Sequence, residues 1–222
     1  MEKSRILVTG AGGQVGQVLG KTLEERYKKG NVLTTDLKPV DVFHQFELLD
    51  VLDMVKYRKI IEKFRPDVIF HLVGVLSAVG ESDPRKSWDV NTRGWINTLE
   101  VAVEYEVSKV FFPSSIAVFG PGSSLERAGQ NVPLHPMTMY GVTKVAGENL
   151  GQYYFSKFGL DVRALRYPGI ISYQSLPGGG TTDYAVEIFQ KAIADHSYTC
   201  SIGENRMLPM MFVDDAIRGT LQ

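Results

Sequence analysis

The amino-acid sequence predicts an α/β fold in which a doubly wound parallel sheet is covered by helices on both faces. Short, β-rich apolar runs alternate with helical stretches along most of the chain, as expected for parallel strands joined by helical crossovers. A glycine-rich turn lies between the first such run and the first helical stretch. The 222 residues are enough to bury a complete core.

The first half of the chain supplies four predicted strands and two predicted helices. The first helix is expected to end at Gly30, a residue type that favours helix C-termini, and the second to stop before Pro66. The strands are predicted at residues 5–9, 31–36, 46–49 and 67–72, and the helices at residues 14–29 and 54–64.

The second half continues this alternation and then changes character. Pro84, with Asp83 as its N-cap, opens a long predicted helix. Beyond Tyr167, proline and glycine interrupt the pattern, so we predict a sheet domain over residues 1–167 and a small lobe over residues 168–222. The helices are predicted at 84–105, 140–158, 182–196 and from Asp214 onward, the strands at 110–114, 161–166 and near 199–202, and an apolar run lies at 208–213.

Composition and charge exclude several classes of function. The formal net charge is −1 and the pI is near 6.4, which gives no electrostatic basis for binding nucleic acid or an anionic membrane. No apolar stretch approaches the ~18 residues of a membrane helix. The four histidines are never spaced i,i+4 and have no cysteine cluster beside them, so we predict no metal site and disfavour zinc chemistry.

Cysteine usage and the start of the sequence predict the compartment. Cys200 is the only cysteine, which rules out an intramolecular disulfide, and we expect it to be buried as a small apolar residue. The first apolar run begins at Ile6, which leaves no room for a secretory signal ahead of it. We therefore expect a cytoplasmic protein, or a protein of the mitochondrial matrix if a transit peptide has been removed.

Three glycines between the first strand and the first helix predict a nucleotide site. Gly10, Gly13 and Gly16 have the spacing G-x-x-G-x-x-G. Gly10 permits the tight turn, Gly13 lets the backbone approach a pyrophosphate, and Gly16 lets the helix pack close to the sheet. With Gln14 and Val15 at the helix N-terminus, this pattern predicts a Rossmann-type dinucleotide-binding fold.

Asp36 predicts which dinucleotide binds. It ends the second strand, about twenty residues after Gly16, where an acid can accept hydrogen bonds from both adenosine ribose hydroxyls. A carboxylate repels the 2′-phosphate of NADP, and position 37 is Leu rather than the Arg that this phosphate would favour. The sequence therefore predicts NAD.

Further strand ends contribute candidate cofactor contacts. Asp50 and Val51 would lie beside the adenine, although Asp50 as the N-cap of the next helix is an equal alternative. Leu72, Val73 and Gly74 would line the cofactor through their backbone, although close packing alone would also explain Gly74.

Ser115, Tyr140 and Lys144 form the candidate catalytic set. Tyr140 and Lys144 lie four residues apart on one helix face, and Ser115 ends the strand before that helix. Alcohol oxidation needs a base at the hydroxyl, and a phenol with a pKa near 10 becomes one if a lysine ammonium and the nicotinamide charge lower its pKa. Ser115 would hold the substrate oxygen and Lys144 the nicotinamide ribose. Ser115 as a strand-end cap and Tyr140 as a packing aromatic are the structural alternative.

Asn91 falls inside the long helix predicted at 84–105. A polar residue there could kink the helix and order a water molecule toward Lys144, and we include it among the cofactor-binding candidates. A simple solvated helix face is the alternative.

Together the glycine pattern, Asp36, Ser115 and Y-x-x-x-K resemble the extended short-chain dehydrogenases, the group that includes UDP-galactose 4-epimerase. Within that group, four segments are similar to the epimerase-like L-threonine 3-dehydrogenases. These segments are GVLSA from Gly74, LRYPGIIS from Leu165, PGGGTTDYA from Pro177 and LPMM from Leu208.

This resemblance implies NAD-dependent oxidation of L-threonine to 2-amino-3-oxobutyrate. It implies that Leu76 and Ser77 close on the amino acid together with Gly180, Thr181 and Thr182. Thr182 would start a helix whose free amides suit a carboxylate, and Thr181 or Thr182 as a simple N-cap is compatible with this.

The resemblance has three further implications. The carbonyl of Pro168 or the amide of Ile170, next to Tyr167, would orient the nicotinamide amide. The helices at 84–105 and 140–158 would form a homodimer interface. Members of the family continue beyond the position of Gln222, so the C-terminal substrate lobe is expected to be incomplete.

Two other functions share most of these residues. A sugar-nucleotide epimerase or dehydratase would also use Asp36, Ser115, Tyr140 and Lys144, but would need a basic pocket for a diphosphate. A catalytically impaired NAD-binding protein would keep only the cofactor site.

Overall fold

The computed structural model describes residues 4–124, 127–174, 178, 180, 182–200, 202–205 and 207–222. Strands and helical segments alternate along most of the chain through β6, as the sequence predicts. The strands are β1 Ile6–Thr9, β2 Val32–Asp36, β3 Phe46–Leu48, β4 Val68–His71, β5 Lys109–Ser115, β6 Asp161–Tyr167, β7 Gly169–Ile171 and β8 Met210–Phe212. The α-helices are α1 Gln14–Arg26, α2 Met54–Phe64, α3 Ser77–Ser82, α4 Pro84–Trp88, α5 Gly94–Glu104, α6 Met139–Phe158, α7 Tyr184–Ala194 and α8 Val213–Thr220.

The main sheet is parallel throughout and has the order β3-β2-β1-β4-β5-β6. The chain builds outward from β1 to β3 and then returns to the other side of β1 with β4. In the register Thr9 lies beside both Thr35 of β2 and His71 of β4. This reversal creates a crevice at the carboxyl ends of β1 and β4, where such sheets bind their ligands. The predicted doubly wound fold is confirmed.

Each face of the sheet has its own apolar core, because successive side chains on a strand point to opposite faces. Leu7 of β1 belongs to the core beneath α2, α5 and α6, while Ile6 and Val8 belong to the core beneath α1 and α8. All three are at most 2 % exposed. The alternation fixes which helices cover which face.

The lobe predicted after Tyr167 only partly separates from the sheet domain. β7 and β8 pair with each other in a small parallel sheet of their own. Helix α8, however, packs against α1 and buries Val213, Ala216 and Ile217 in the core of the main sheet. The division at residue 167 stays a prediction.

Several predicted elements differ in the structure. Helix α1 ends at Arg26, because Tyr27 adopts an extended conformation and packs against the core, so Gly30 does not end it. The helix predicted at 84–105 consists of α4, a π-helical segment Asp89–Arg93, and α5. The described residues of 199–202 contain no strand. Cys200 is exposed, so its predicted burial is wrong.

None of the helices in the described ranges combines the length and apolarity that a bilayer crossing requires.

Gly147 sets how closely α6 lies on the sheet, and replacing it should destabilise the protein. A Cβ at Gly147 would lie 2.2 Å from Cζ of Phe112 in the buried core. Because overpacking of this kind forces side chains off their rotamers, we expect Gly147→Ala to lower the free energy of unfolding by ~1–3 kcal/mol. Gly30→Ala is the matched control, since its Cβ would meet only Nε2 of Gln45, at 3.9 Å. Urea unfolding that shows equal stabilities for the two variants would contradict this packing.

Candidate active site

The glycine turn presses the end of β1 against the end of β4. Gly10 has φ +74°, and a Cβ on it would lie 2.7 Å from the backbone nitrogen of Val73. A Cβ on Gly16 would lie 2.3 Å from the carbonyl oxygen of Gly10. Both positions therefore require glycine, for the turn and for the close approach of α1. The structure brings the backbone of Leu72 and Val73 to the glycine turn, and their contact with the cofactor stays a prediction.

Helix α1 begins with free backbone donors. Gly13 is the N-cap residue, and no side chain in the described part of the chain caps it. Gly13 is exposed, Gln14 and Val15 are partly exposed, and the first turn has no acidic residue. Uncapped amides together with the helix dipole form an anion site. The protein itself leaves room for a Cβ at Gly13, and the approach of a pyrophosphate there stays a prediction.

Asp36 is held in place at the edge of this turn. Its Oδ2 accepts a hydrogen bond from the amide of Gly12 at 2.8 Å, and its Oδ1 accepts one from the amide of Leu37 at 2.7 Å. Gly12 was not among the predicted site residues. The doublet Gly12-Gly13 was the available signal, since a Cβ on Gly12 would lie 3.1 Å from the carboxylate. The carboxylate is fixed beside the turn, as a ribose acceptor needs to be.

The segment after β3 reaches the same edge of the sheet. Val51 is buried, and its carbonyl accepts a hydrogen bond from Nδ2 of Asn97 at 2.8 Å. Asp50 accepts from the amide of Leu52 at 2.9 Å and so stabilises the local turn. The N-cap of α2 is Asp53, so the alternative that Asp50 caps this helix is wrong. The predicted adenine contact of Asp50 and Val51 stays a prediction.

Ser115 and Tyr140 meet where β5 ends and α6 begins. The hydroxyl of Tyr140 is hydrogen-bonded to the Ser115 side chain, whose Oγ also accepts from the amide of Ala117 at 3.1 Å. Helix α6 starts here because Thr138 is its N-cap and accepts from the amide of Gly141 at 3.0 Å. The predicted convergence of Ser115 and Tyr140 is thus present in the structure.

Lys144 lies beneath this pair and is only 5 % exposed. Its Nζ donates to the carbonyl of Pro113 at 2.6 Å and lies 4.8 Å from the ring centre of Phe112 and 5.3 Å from that of Tyr140. Burial disfavours the ammonium form and lowers the pKa of Lys144 to about 7. The lysine can therefore gain or lose a proton near neutral pH.

The pKa of Tyr140 differs from the sequence-based expectation. Burial raises it to about 12, and the hydrogen bond from Ser115 only partly opposes this rise. Lys144 by itself therefore does not hold this pKa below 10, and the combined effect of Lys144 and the nicotinamide charge stays a prediction. Desolvation outweighs the neighbouring amine, which carries only part of its charge at neutral pH.

Asn91 lies in the π-helical segment and is 5 % exposed. Its Oδ1 accepts from the amide of Val75 at 2.7 Å, and its Nδ2 donates to the Val75 carbonyl at 3.0 Å. Nδ2 also lies 3.1 Å from Oγ1 of Thr143, whose hydroxyl donates to the Tyr140 carbonyl. Asn91 therefore ties the loop after β4 to the first turn of α6. Its amide is directed at these partners, and the alternative of a solvated helix face is wrong.

The predicted substrate segments come together in part. Ser77 begins α3, with Leu76 as its N-cap residue. A Cβ on Gly178 would lie 3.2 Å from Cδ1 of Leu76, so the glycine-rich segment adjoins the loop after β4. Thr181 lies outside the described residues.

The start of α7 differs from the prediction for Thr182. The helix begins at Tyr184 with Asp183 as its N-cap residue, so the predictions that Thr182 starts or caps the helix are wrong. Oδ2 of Asp183 accepts from the amide of Gly180 at 2.7 Å. Because this carboxylate already lies at the helix N-terminus, the predicted attraction for a substrate carboxylate loses its basis there.

Tyr167 serves the core with its side chain. Its ring packs 6.3 Å from that of Phe111, and its hydroxyl is hydrogen-bonded to Thr220 of α8. Any cofactor contact at this position falls to the main chain. Pro168 follows directly, beside the end of β5, and Ile170 pairs with Met211 in the small sheet.

The family follows from comparison with known proteins. The model of the NAD dependent epimerase/dehydratase family matches residues 6–222. The chain belongs to this family. Its cofactor is NAD, which the uncapped helix α1 and the fixed carboxylate of Asp36 fit.

Similar members of the NAD dependent epimerase/dehydratase family carry two kinds of name. An uncharacterized epimerase/dehydratase of Staphylococcus saprophyticus is 44% identical over 98% of this chain and 69% of its own. The mitochondrial L-threonine 3-dehydrogenase of Sus scrofa is 43% identical over 98% of this chain and 59% of its own. The solved structure of a monomeric L-threonine 3-dehydrogenase from a metagenome has a TM-score of 0.94 and 47% identity, covering 97% of this chain and 70% of that one.

Asp36 should decide the choice between NAD and NADP. We expect NAD to bind at least tenfold more tightly than NADP, because the fixed carboxylate repels the 2′-phosphate. Tenfold corresponds to a difference of about 1.4 kcal/mol in binding free energy. Asp36→Ala should weaken NAD binding and reduce this preference, as measured by calorimetric titration. Glu25→Ala removes an exposed carboxylate on α1 and should change neither affinity. Equal affinities for NAD and NADP in the unaltered protein would contradict the role of Asp36.

Lys144 should make stability depend on pH in the alkaline range. Its pKa is about 7 in the folded protein, against 10.5 for an ordinary lysine in water, so the folded and unfolded states both carry the proton below pH 7. Between these values the unfolded chain binds one more proton, and the free energy of unfolding should rise with pH by up to about 1.4 kcal/mol per unit. Lys144→Met should remove this rise, whereas Lys157→Met, at an exposed position, should keep it. Urea unfolding at pH 6.5 and at pH 9 measures how far Lys144→Met raises the free energy of unfolding over that of the unaltered protein. The same increase at both pH values would refute the lowered pKa of Lys144.

Proposed function

We propose that this protein is an NAD-dependent L-threonine 3-dehydrogenase that forms 2-amino-3-oxobutyrate. The observation that carries the proposal is the hydrogen-bonded pair of Ser115 and Tyr140 with buried Lys144 beneath it. This arrangement suits oxidation of a secondary alcohol. The names of the Sus scrofa relative and the metagenome structure support threonine as the alcohol.

The chemistry divides between cofactor and protein. When bound, NAD supplies the acceptor for the hydride that leaves the carbinol carbon of threonine. Ser115 donates a hydrogen bond to the substrate hydroxyl oxygen and aligns it with the phenol. Tyr140 takes the hydroxyl proton as the C–O single bond becomes a carbonyl. One hydride and one proton leave the alcohol, so atoms and electrons balance.

The proton passes through a coupled pair of groups. Nζ of Lys144 lies 5.3 Å from the ring centre of Tyr140. As the pH rises, the lysine loses its proton first, because its pKa is about 7 and that of the phenol is about 12. The neutral amine can then accept the proton that the phenol must lose, which gives a phenolate beside an ammonium. Such pairs titrate as a unit. Oxidation should therefore become faster as the pH rises through about 7.

The substrate-binding surface is proposed around Leu76, Ser77 and Gly180. The short distance between Leu76 and Gly178 supports this substrate-binding surface. Two separate chain segments meet there, beside the loop that Asn91 holds. In place of the helix N-terminus at Thr182, the amides of the loop itself are the candidate donors for the substrate carboxylate.

Oxidation or epimerisation of a sugar nucleotide is the second candidate function. The family model and the name of the Staphylococcus relative favour it. A nucleotide diphosphate needs cationic partners. In the described part of residues 168–222, Lys191 and Arg218 are engaged in ion pairs, at 3.1 Å with Asp195 and at 2.6 Å with Asp215. Arg206, the cation that the sequence offers to a diphosphate here, lies outside the described residues. We prefer the amino-acid substrate on the names of the Sus scrofa relative and the metagenome structure.

A homodimer is the assembly that we propose. Helices α4, α5 and α6 lie side by side on one face of the sheet, and Tyr153, Phe155 and Phe158 of α6 are about half exposed. We expect light scattering at micromolar concentration to give twice the mass of the chain. A monomer mass would overturn this proposal and would agree with the name of the metagenome structure.

Substrate choice is tested by NADH formation with L-threonine, L-serine and a UDP-hexose measured in parallel. We expect threonine to give the highest kcat/KM, because the proposed surface accommodates a small amino acid. Turnover of the UDP-hexose alone would replace the proposed function with the second one. NAD binding without any turnover would indicate a binding protein.

Tyr140 should be the residue most sensitive to substitution. Tyr140→Phe should lower kcat by ~10²–10⁴ and leave NAD affinity nearly unchanged, since a general base contributes about that factor. Ser115→Ala should be milder, because one positioning hydrogen bond is lost. Tyr153→Phe alters an exposed tyrosine on the same helix and is the control. If Tyr140→Phe kept more than about a tenth of the turnover, the assignment of the base would be wrong.

A further inference from the structure

His71 is a buried ionisable group beside the catalytic residues that the proposed mechanism does not use. It is the last residue of β4 and is 1 % exposed. The other three histidines of the chain, His44, His135 and His196, are all exposed. A histidine at this depth needs a hydrogen-bond partner for each ring nitrogen.

The partners of Nδ1 determine the tautomer. Oγ1 of Thr98 lies 2.9 Å from Nδ1 of His71, 3.1 Å from the hydroxyl of Tyr57 and 3.0 Å from the carbonyl of Gly94. We assign the single hydroxyl hydrogen of Thr98 to the carbonyl of Gly94, which can only accept. Thr98 then accepts from Tyr57 and from Nδ1–H of His71, and Oγ1 of Thr9, at 3.3 Å from Nδ1, is a second acceptor for the same N–H. This assignment satisfies every group around Thr98 and leaves a lone pair on Nε2.

Nε2 of His71 is buried and has no hydrogen-bond partner within the described part of the chain. Among the described groups, the charge that acts on the ring is that of Lys144, which together with burial lowers the pKa of His71 to about 3. The imidazole therefore remains neutral at any pH at which the protein works. Its Nε2 is therefore a permanent hydrogen-bond acceptor.

An aromatic stack connects the two residues. The ring of His71 lies 5.3 Å from that of Trp95, which lies 4.7 Å from that of Phe112. Nζ of Lys144 rests 4.8 Å from the centre of Phe112. Lys144 uses one of its three donors on the Pro113 carbonyl, so others remain for further partners.

We propose that His71 is a positioning residue for Lys144, with its Nε2 accepting a hydrogen bond from one buried water molecule that Lys144 also holds. A water is required because Nζ does not reach Nε2 directly, and a bridging water satisfies both groups at little cost. The proposal rests on the proposed function only for its kinetic consequence.

The groups that face His71 limit what else could change its behaviour. They are Thr9 from β1, Tyr57 from α2, Trp95 and Thr98 from α5, and Lys144 from α6. Of these, Tyr57 and Lys144 can ionise, and burial raises the pKa of Tyr57 well above its ordinary value. Lys144 is thus the group that His71 can influence near neutral pH.

The direct test uses nitrogen NMR and needs no activity. In protein with ¹⁵N-labelled histidine, His71 should show the Nδ1–H tautomer and no titration between pH 5.5 and 9. Lys144→Met should move the Nε2 resonance of His71, because the water loses its second anchor. An Nε2–H tautomer, or an Nε2 resonance unchanged by Lys144→Met, would overturn the proposal whether or not the protein oxidises threonine.

A kinetic experiment tests whether His71 changes the proton affinity of Lys144. His71→Phe removes the acceptor and should shift the midpoint of the rise in kcat with pH downward by about half a unit, because the ammonium loses support. His71→Gln keeps an acceptor oxygen and should restore part of the shift. Tyr57→Phe removes a hydroxyl from the same network and should leave the midpoint in place. An unmoved midpoint in His71→Phe counts against the proposal, and if that variant does not fold, the NMR comparison decides.

Discussion

The close seating of helix α6 on strand β5 is the constraint on which the rest of the site depends. No side chain separates the two at Gly147, and Nε1 of Trp95 donates to the Gly147 carbonyl at 3.1 Å, which fixes the height of the helix. At that height Lys144 can reach the Pro113 carbonyl, and Tyr140 can reach Ser115. A helix held further out would lose both contacts. Packing in the core thus determines the chemistry at the crevice.

The same close packing explains why the two ionisable groups depart from their ordinary behaviour. The interface excludes water, so Lys144 loses its proton at about pH 7 and the phenol of Tyr140 holds its proton firmly. Burying an amine in this way destabilises the fold. Such a cost is commonly concentrated at functional sites, where a shifted pKa serves proton transfer.

Features set by local sequence could be predicted, and features set by contacts between distant segments could not. The glycine turn, Asp36 and the Tyr140–Lys144 spacing each lie within one element or junction, so pattern and periodicity identify them. The π-helical segment at Asp89–Arg93 and the capping of α7 by Asp183 depend on packing that no short window encodes. The rise that burial produces in the Tyr140 pKa could not be predicted for the same reason, since burial is a property of the whole fold.

The central position of β1 has a consequence for how the chain folds. Ile6 pairs with Val32 on one side and with Val68 on the other, and β4 in turn pairs with β5. Because β1 is synthesised before β4, its second edge stays uncovered until β4 has been made. Such non-local parallel pairing is slow, and an apolar edge left open in the meantime invites association with other chains. The arrangement that places the nucleotide crevice at the middle of the sheet thus makes the nascent β1–β3 segment dependent on strands that are synthesised later.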